Sequence, residues 1–402
     1  MSQTETHKVS TLSLSPPTPP RRHRVLAALT TAAPALLGYI AARLVGLAIL
    51  FVAAPMAGKD ALHLLCERWD SLWYQRVADG WYGYEVHLPN GSVHSDLAFF
   101  PMLPALERGL AELLPMRLAT AGLAISWTAS LAAAWGIYAV GARLHGRRTG
   151  VVLAVMWACY PTAYVQSMAY AETLFTATAA WTLYAVLTER WILAAPLTIV
   201  AGLTRPSAAA LIAALTITVV VAVATERNEG LDWSAISHAH RRMLTGVALA
   251  PLGWLGYVVF VGVRQGDPLA YFAVQAEWGN SIDGGIALTE MVFEHLTSSA
   301  PLAGVGLVAV FTLLGWVMWR CVKQRQPLPV LIYTVAVVVI SLIGSGYFTS
   351  RPRLMMPAFP LLLPAAVALV RWGNMRTWWT LSALAAASGA YGAFILLGSG
   401  PP

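Results

Sequence analysis

Arg351 and Arg353, in "GYFTSRPRLMMPAFPLLLP" (346–364), stand where the chain enters an apolar stretch. Guanidinium groups match phosphate oxygens bidentately, so a lipid phosphate is their natural partner. Snorkelling to headgroups is the alternative. Arg205, in "GLTRPSA" (202–208), sits at a helix break before Pro206, where it can pair with Glu172 or with a substrate phosphate. Glu172 follows Tyr160, Tyr164, Gln166 and Tyr170 in "YPTAYVQSMAYAETLF" (160–175). It is either a substrate contact or a carboxylate favoured by a helix N-terminus.

A second group of candidates is "ERWDSLWYQRVADGWY" (67–82), just after the first apolar run. On a helix, Trp69, Trp73, Arg76 and Gly80 share one face, and Asp70, Tyr74 and Val77 the next. Trp and Tyr at headgroup level suit an interfacial anchor helix, which is the plain reading. An anchor favours Lys and Arg, however. Between Lys59 and Asp96 the acids Asp60, Glu67, Asp70, Asp79, Glu85 and Asp96 outnumber the bases Lys59, Arg68 and Arg76. In "GDPLAYFAVQAEWG" (266–279), aromatics mixed with Gln275 and Glu277 resemble a sugar-contacting surface, although composition alone reads it as an ordinary structured loop. Arg43 lies inside the first apolar run, where an ionisable group is a functional candidate by default unless it snorkels outward.

The elements that must position these residues are membrane helices. The 402-residue chain is 57% hydrophobic and 11% charged, against about 25% charged in soluble domains. Apolar runs recur along its length without strand alternation, so the fold class is an all-α polytopic membrane protein. The hydropathy pattern predicts eleven spans, near 25–54, 118–142, 149–166, 171–188, 191–204, 206–225, 243–263, 301–319, 327–346, 354–370 and 377–398. Residues 1–24 read as a disordered cytoplasmic tail, and 25–398 as one membrane domain with an extracytoplasmic loop at 57–117. Within that loop, 98–115 reads as an interfacial or re-entrant helix, interrupted by Pro101, Pro104, Glu107, Arg108 and Glu112.

With the N-terminus cytoplasmic, fifteen Lys and Arg fall in inner loops and nine in outer ones, as the positive-inside rule requires. Every unusual polar stretch then faces outward, so the working surface is extracytoplasmic. The net charge of +7 is explained by these anchors and calls for no nucleic-acid partner. Cys66, Cys159 and Cys321 show no metal spacing and no disulfide framework is expected. There is no P-loop, no dinucleotide fingerprint and no His-x-x-x-His. If the chain is an enzyme, its activated substrate is expected to arrive in the membrane, already linked to lipid phosphate.

"RWDSLWYQRVADGWY" (68–82) followed by "AFFPMLPAL" (98–106) resembles the first-loop signature of the PIG-V family of mannosyltransferases. The matching residues are Trp69-Asp70, Gly80-Trp81-Tyr82 and Ala98-Phe99-Phe100-Pro101. The blocks around Glu172, Arg205, Gln275 and Arg353 follow in the family's order, over about residues 35–370, with the composition of a bacterial, actinobacterial-type member. The chain departs in carrying Arg68 where the family often has His, and Pro206-Ser207 where Asn-Gly can follow the Arg.

The resemblance implies a GT-C fold in the plasma membrane. It also implies a polyprenyl-phosphate-mannose donor and an acceptor that is a glycan, lipid or protein. Inverting transfer from a β-linked phosphate needs one carboxylate base and positive charge for the leaving phosphate. Asp70 is the expected base. Arg351 and Arg353 are expected on the phosphate, with Arg205 beside them. Glu172, Glu67, Trp69, Trp73, Tyr74, Tyr170 and Gln275 are expected to contact or orient substrate. No cofactor is identified, and assistance by a divalent Mg or Mn ion is left open. A non-catalytic subunit of a glycosyltransferase, or a transporter of lipids or lipid-linked sugars, are the alternatives.

Overall fold

The computed structural model describes residues 21–298, 301–346 and 348–400. The first long helix, α1 (Arg21–Met56), leads into the outer loop, which folds as α2 (Ala61–Cys66), α3 (Asp70–Gly80), a hairpin of β1 (Glu85–His87) and β2 (Val93–Ser95), and α4 (Met102–Leu113). The next helices are α5 (Leu118–His145), α6 (Arg147–Ala158), α7 (Glu172–Leu187), α8 (Trp191–Gly202) and α9 (Ala208–Asn228). Then come α10 (Trp233–Ala239), α11 (Arg241–Leu249), α12 (Leu252–Gln265), α13 (Ala270–Glu277) and α14 (Ile286–Thr297). The chain ends with α15 (Pro301–Lys323), α16 (Leu328–Leu342), α17 (Arg351–Met355), α18 (Leu363–Arg371) and α19 (Asn374–Leu397).

Most of the expected tail, residues 1–20, lies outside the described residues, and Arg21–Arg24 already belong to α1. Among the described residues six helices are long and apolar enough to cross a membrane, α11 and α12 counting as one. A seventh crossing is formed if the pair Phe348–Met355 and Phe359–Arg371, bent by 80°, is one broken span. Four expected spans are shorter helices: α6 and α8 have 12 residues, α16 has 15 and α7 has 16. The expected span 149–166 stops at Ala158, and Ala163–Ser167 is a buried 3-10 turn. Hydropathy reports burial, and a buried turn looks as apolar as a helix.

A hairpin is the other departure. Asn90-Gly91 closes it, with Gly91 at φ 88°, and Glu85 pairs with Ser95 and His87 with Val93. A left-handed glycine after Asn suits such a turn.

The core is built from close helix pairs: α5 along α6 and α7, and α1 along α19. By contrast, α15 buries only Gly304 and Cys321 and exposes Leu302, Val305, Val308, Val310 and Leu313. Water would not tolerate such a surface, but lipid would. The three cysteines are buried and unpaired.

Helices α1, α6 and α19 run parallel. A Cβ at Gly38 would touch Val155 and Trp378, and Gly46 packs on Gly389. Arg43 donates to the carbonyl of Ala158 (3.2 Å), and Lys59 to that of Leu397 (2.7 Å). Arg43 also donates to Ser167 Oγ at 2.8 Å, so this intramembrane guanidinium pins the buried turn 163–167.

Where α8 meets α12 the backbones approach so closely that a Cβ at Gly253 would lie 2.8 Å from the carbonyl carbon of Ile199. Backbone cannot yield as a side chain can. Gly253→Ala is expected to cost about 1–3 kcal/mol, read as a lower thermal midpoint in detergent.

Candidate active site

The charged candidates stand at helix ends. Asp70 is the first residue of α3, and its backbone N–H donates to Tyr170 Oη at 3.1 Å. The preceding Trp69 has φ 52°, a left-handed conformation that costs a non-glycine residue about 1–3 kcal/mol. The surroundings hold it there. The Arg68 guanidinium lies 3.9 Å over the Trp69 ring and donates to the carbonyls of Leu396 and Gly398 at the end of α19. Ser71 Oγ accepts from the Arg68 N–H at 2.8 Å.

Glu172 opens α7 directly after the buried turn and Tyr170. Arg205 lies in the break between α8 and α9, where the following Pro206 disfavours helix. Arg353 lies in α17, with Pro352 in the helix's first turn, where proline is tolerated, and Pro357 just beyond its end.

The fold joins these four segments in one chain of charge. Arg353 Nη1 lies 2.9 Å from Asp70 Oδ2, and its Nε lies 3.4 Å from Glu172 Oε1. Arg205 Nη1 lies 2.7 Å from the same Glu172 oxygen. Two carboxylates and two guanidiniums alternate, and their formal charges cancel. The Glu172 side chain is 1% exposed, those of Arg205 and Arg353 10%, and that of Asp70 25%. Asp70 is therefore the most exposed member of the chain. Tyr170 lies beneath, with the Arg353 guanidinium 5.3 Å over its ring.

An aromatic wall continues from this cluster. Buried Tyr74 packs edge-on to Phe99 at 5.1 Å, and Phe99 stacks on Trp73 at 5.6 Å. Trp278 meets Trp73 edge-on at 4.8 Å and stacks on His94 of the hairpin at 4.1 Å. Gln275 fastens α13 to this wall by donating to the Ala98 carbonyl at 3.1 Å, and Glu277 accepts from the Val93 N–H at 3.0 Å. Trp278, His94 and Phe99 were not among the sequence candidates. Their signal was present, since the blocks at 98–106 and 266–279 contain Phe99 and Trp278, but only the fold brings those blocks together.

Two candidates stand apart. Arg351 donates to the carbonyl of Leu342, at 2.8 Å, and to that of Gly344, and it lies 4.4 Å over the Phe348 ring. Its guanidinium is committed to the end of α16 and does not join Arg353. Glu67 pairs with Arg117 and, at 3.3 Å, with His63. No three His, Cys, Asp or Glu side chains converge among the described residues to hold a metal. The oxygens of Asp70 and Glu172 that face each other are bridged by a guanidinium instead, so this donor set does not fit a divalent ion.

Glu107 of α4 was read only as an interruption of an apolar stretch. It is completely buried against Gly122 of α5, makes no hydrogen bond, and would collide with any Cβ at position 122. Burial pushes its carboxyl well above the usual range.

With these geometries described, known proteins can be compared. No protein-family model and no curated protein matches the sequence. Solved structures do. The archaeal oligosaccharyltransferase AglB from Archaeoglobus fulgidus, in complex with an inhibitory peptide and a dolichol-phosphate, aligns over 92% of this chain and 56% of its own, with a TM-score of 0.50 and 14% identity. The fold is of the GT-C type. ArnT from Cupriavidus metallidurans bound to undecaprenyl phosphate covers 90% of this chain and 62% of its own at 16% identity, with a TM-score of 0.45. The chain thus spans little more than half the length of these proteins.

Two outcomes follow from the geometry. Glu172→Gln strands the buried Arg205 guanidinium and leaves Arg353 with Asp70 alone, and is expected to cost about 3–5 kcal/mol, whereas Asp70→Asn, with a partly solvated carboxylate, costs less; thermal midpoints in detergent compare the two. Glu107 is protonated when folded, while the unfolded carboxyl ionises above about pH 4.3. Stability is therefore lost as pH rises from there toward the raised folded value. Glu107→Gln removes that slope, so its stability relative to wild type should climb between pH 5 and 8 in denaturation curves.

Proposed function

We propose that this protein is an extracytoplasmic glycosyltransferase that moves a sugar, mannose by its PIG-V resemblance, from a polyprenyl phosphate to an acceptor hydroxyl. One observation carries the reading: a partly exposed carboxylate, Asp70, ends a buried chain of alternating charges whose arginines come from distant segments. The AglB structure that shares the fold holds a dolichol-phosphate, and a carrier of the same class is proposed here.

In the proposed step, the acceptor oxygen attacks the anomeric carbon and its proton passes to Asp70. The bond from that carbon to the phosphate oxygen breaks, and its electron pair leaves with the phosphate. A β-linked donor thus gives an α-linked product. Phosphate is a good leaving group and needs no general acid, but it needs preorganised positive charge. Arg353 supplies it, with Arg205 behind. Because Arg353 also holds Asp70, an arriving phosphate competes for the same guanidinium and releases the carboxylate to take the acceptor proton. The wall of Trp73 and Trp278 suits the apolar face of an acceptor sugar ring, with Gln275 at its edge. The low barrier to lateral diffusion of a lipid carrier fits a site built at helix ends.

Transfer from radiolabelled polyprenyl-phosphate mannose to a membrane lipid extract, by purified protein in detergent, tests this. Asp70→Asn is expected to lower transfer by about 10²–10⁴-fold while the protein still inserts and melts cooperatively. Equal transfer by wild type and variant would remove Asp70 from the role. No transfer by wild type, with donor still bound, would favour a non-catalytic subunit.

A further inference from the structure

The end of the bundle opposite Asp70 carries a second site. Because α1, α6 and α19 run parallel, the N-terminal ends of α6 and α19 lie there beside Thr31 and Pro34 of α1, while the C-terminal ends of α1 and α19 lie toward Lys59, Arg68 and Asp70. Between these segments is a cavity of about 450 Å³, within the roughly 300–1,000 Å³ of small-molecule sites. Pro34, Val151, Val152, Val370 and Trp378 supply its apolar lining, and Arg147 and Arg148 line it as well. Both arginines are exposed, and among the described residues neither guanidinium has a hydrogen bond or an ion pair.

We infer that this cavity binds the phosphate headgroup and upper acyl chain of an anionic glycerophospholipid from the leaflet opposite the Asp70 cluster. The chemistry comes from the lining. An ordinary basic anchor projects from a convex loop end into headgroups. Here two guanidiniums with no partner among the described residues line the same cavity as Pro34, Val151, Val152 and Val370, so phosphate and hydrocarbon are accommodated in one place. Guanidinium suits a phosphodiester, and a basic pocket between helices at a membrane face is a recognised lipid-binding arrangement. Asn374 and Thr377 of α19 line the same cavity and add polar edges for a glycerol ester. The inference does not depend on the proposed transferase activity.

The test is lipid retention by purified protein in neutral detergent, read by native mass spectrometry. The probes are phosphatidylglycerol, phosphatidylcholine with the same chains, and inorganic phosphate. Wild type is expected to keep one phosphatidylglycerol, at least about tenfold more tightly than phosphatidylcholine. Arg147→Gln with Arg148→Gln should abolish that difference, and Arg147→Lys with Arg148→Lys should keep most of it. Val151→Phe, which fills the cavity with both arginines intact, should also lose the lipid. Arg143→Gln, next to but outside the lining, should not. Thermal midpoints separate lost binding from lost folding. Equal retention of the two lipids, or undiminished binding by the double Gln variant or by Val151→Phe, would overturn the proposal. Inorganic phosphate displacing the lipid from wild type would reassign the cavity to a free anion and overturn it likewise.

Discussion

The Glu172 carboxylate has almost no contact with solvent, and the rest of the candidate site depends on how its charge is met. A lone buried carboxylate costs several kcal/mol even after relaxation. Here Arg205 approaches one oxygen at 2.7 Å and Arg353 approaches the same oxygen at 3.4 Å. Arg353 in turn has a second carboxylate, Asp70. Removing any member leaves the chain with one uncompensated charge. That mutual dependence fixes α7, the α8–α9 break, α17 and the start of α3 relative to one another, more tightly than apolar contacts alone would.

The same arrangement explains why so many helices are short or broken near this cluster. Non-helical backbone at membrane depth is tolerated only where protein or a polar cavity satisfies it. The turn 163–167 is served by Arg43, whose guanidinium reaches Ser167 and the Ala158 carbonyl. The end of α16 is served by Arg351. The last carbonyls of α19 receive Arg68 and Lys59. Arginines therefore have two jobs in this fold. Some satisfy carbonyls at helix ends, and others, Arg205 and Arg353 among them, balance carboxylates.

The molecule is polar along its helix axes. One end is clamped by these carbonyl contacts and carries the charge chain and the aromatic wall of Trp73, Phe99 and Trp278. At the other end, the N-termini of α6 and α19 and residues 31–34 of α1 line a cavity with two arginines that have no partner among the described residues.

Much of this was legible in the chain itself. Apolar runs demand helices because lipid offers backbone groups no other partner, so the all-α membrane architecture follows from composition and period alone. Ionisable residues set among apolar ones must find partners, so Asp70, Glu172, Arg205 and Arg353 stood out as candidates before any contact was known. What the chain could not reveal is which partner each would find. Arg351 and Arg353 are two residues apart and look interchangeable, yet on a helix that spacing turns their side chains about 200° from each other. One faces the open carbonyls at the end of α16 and the other faces Asp70. Pairings of this kind join residues 33 to 283 positions apart, and no local pattern encodes them. They are decided only when the helices pack, because a buried charge settles on whichever counter-charge the packing brings within reach.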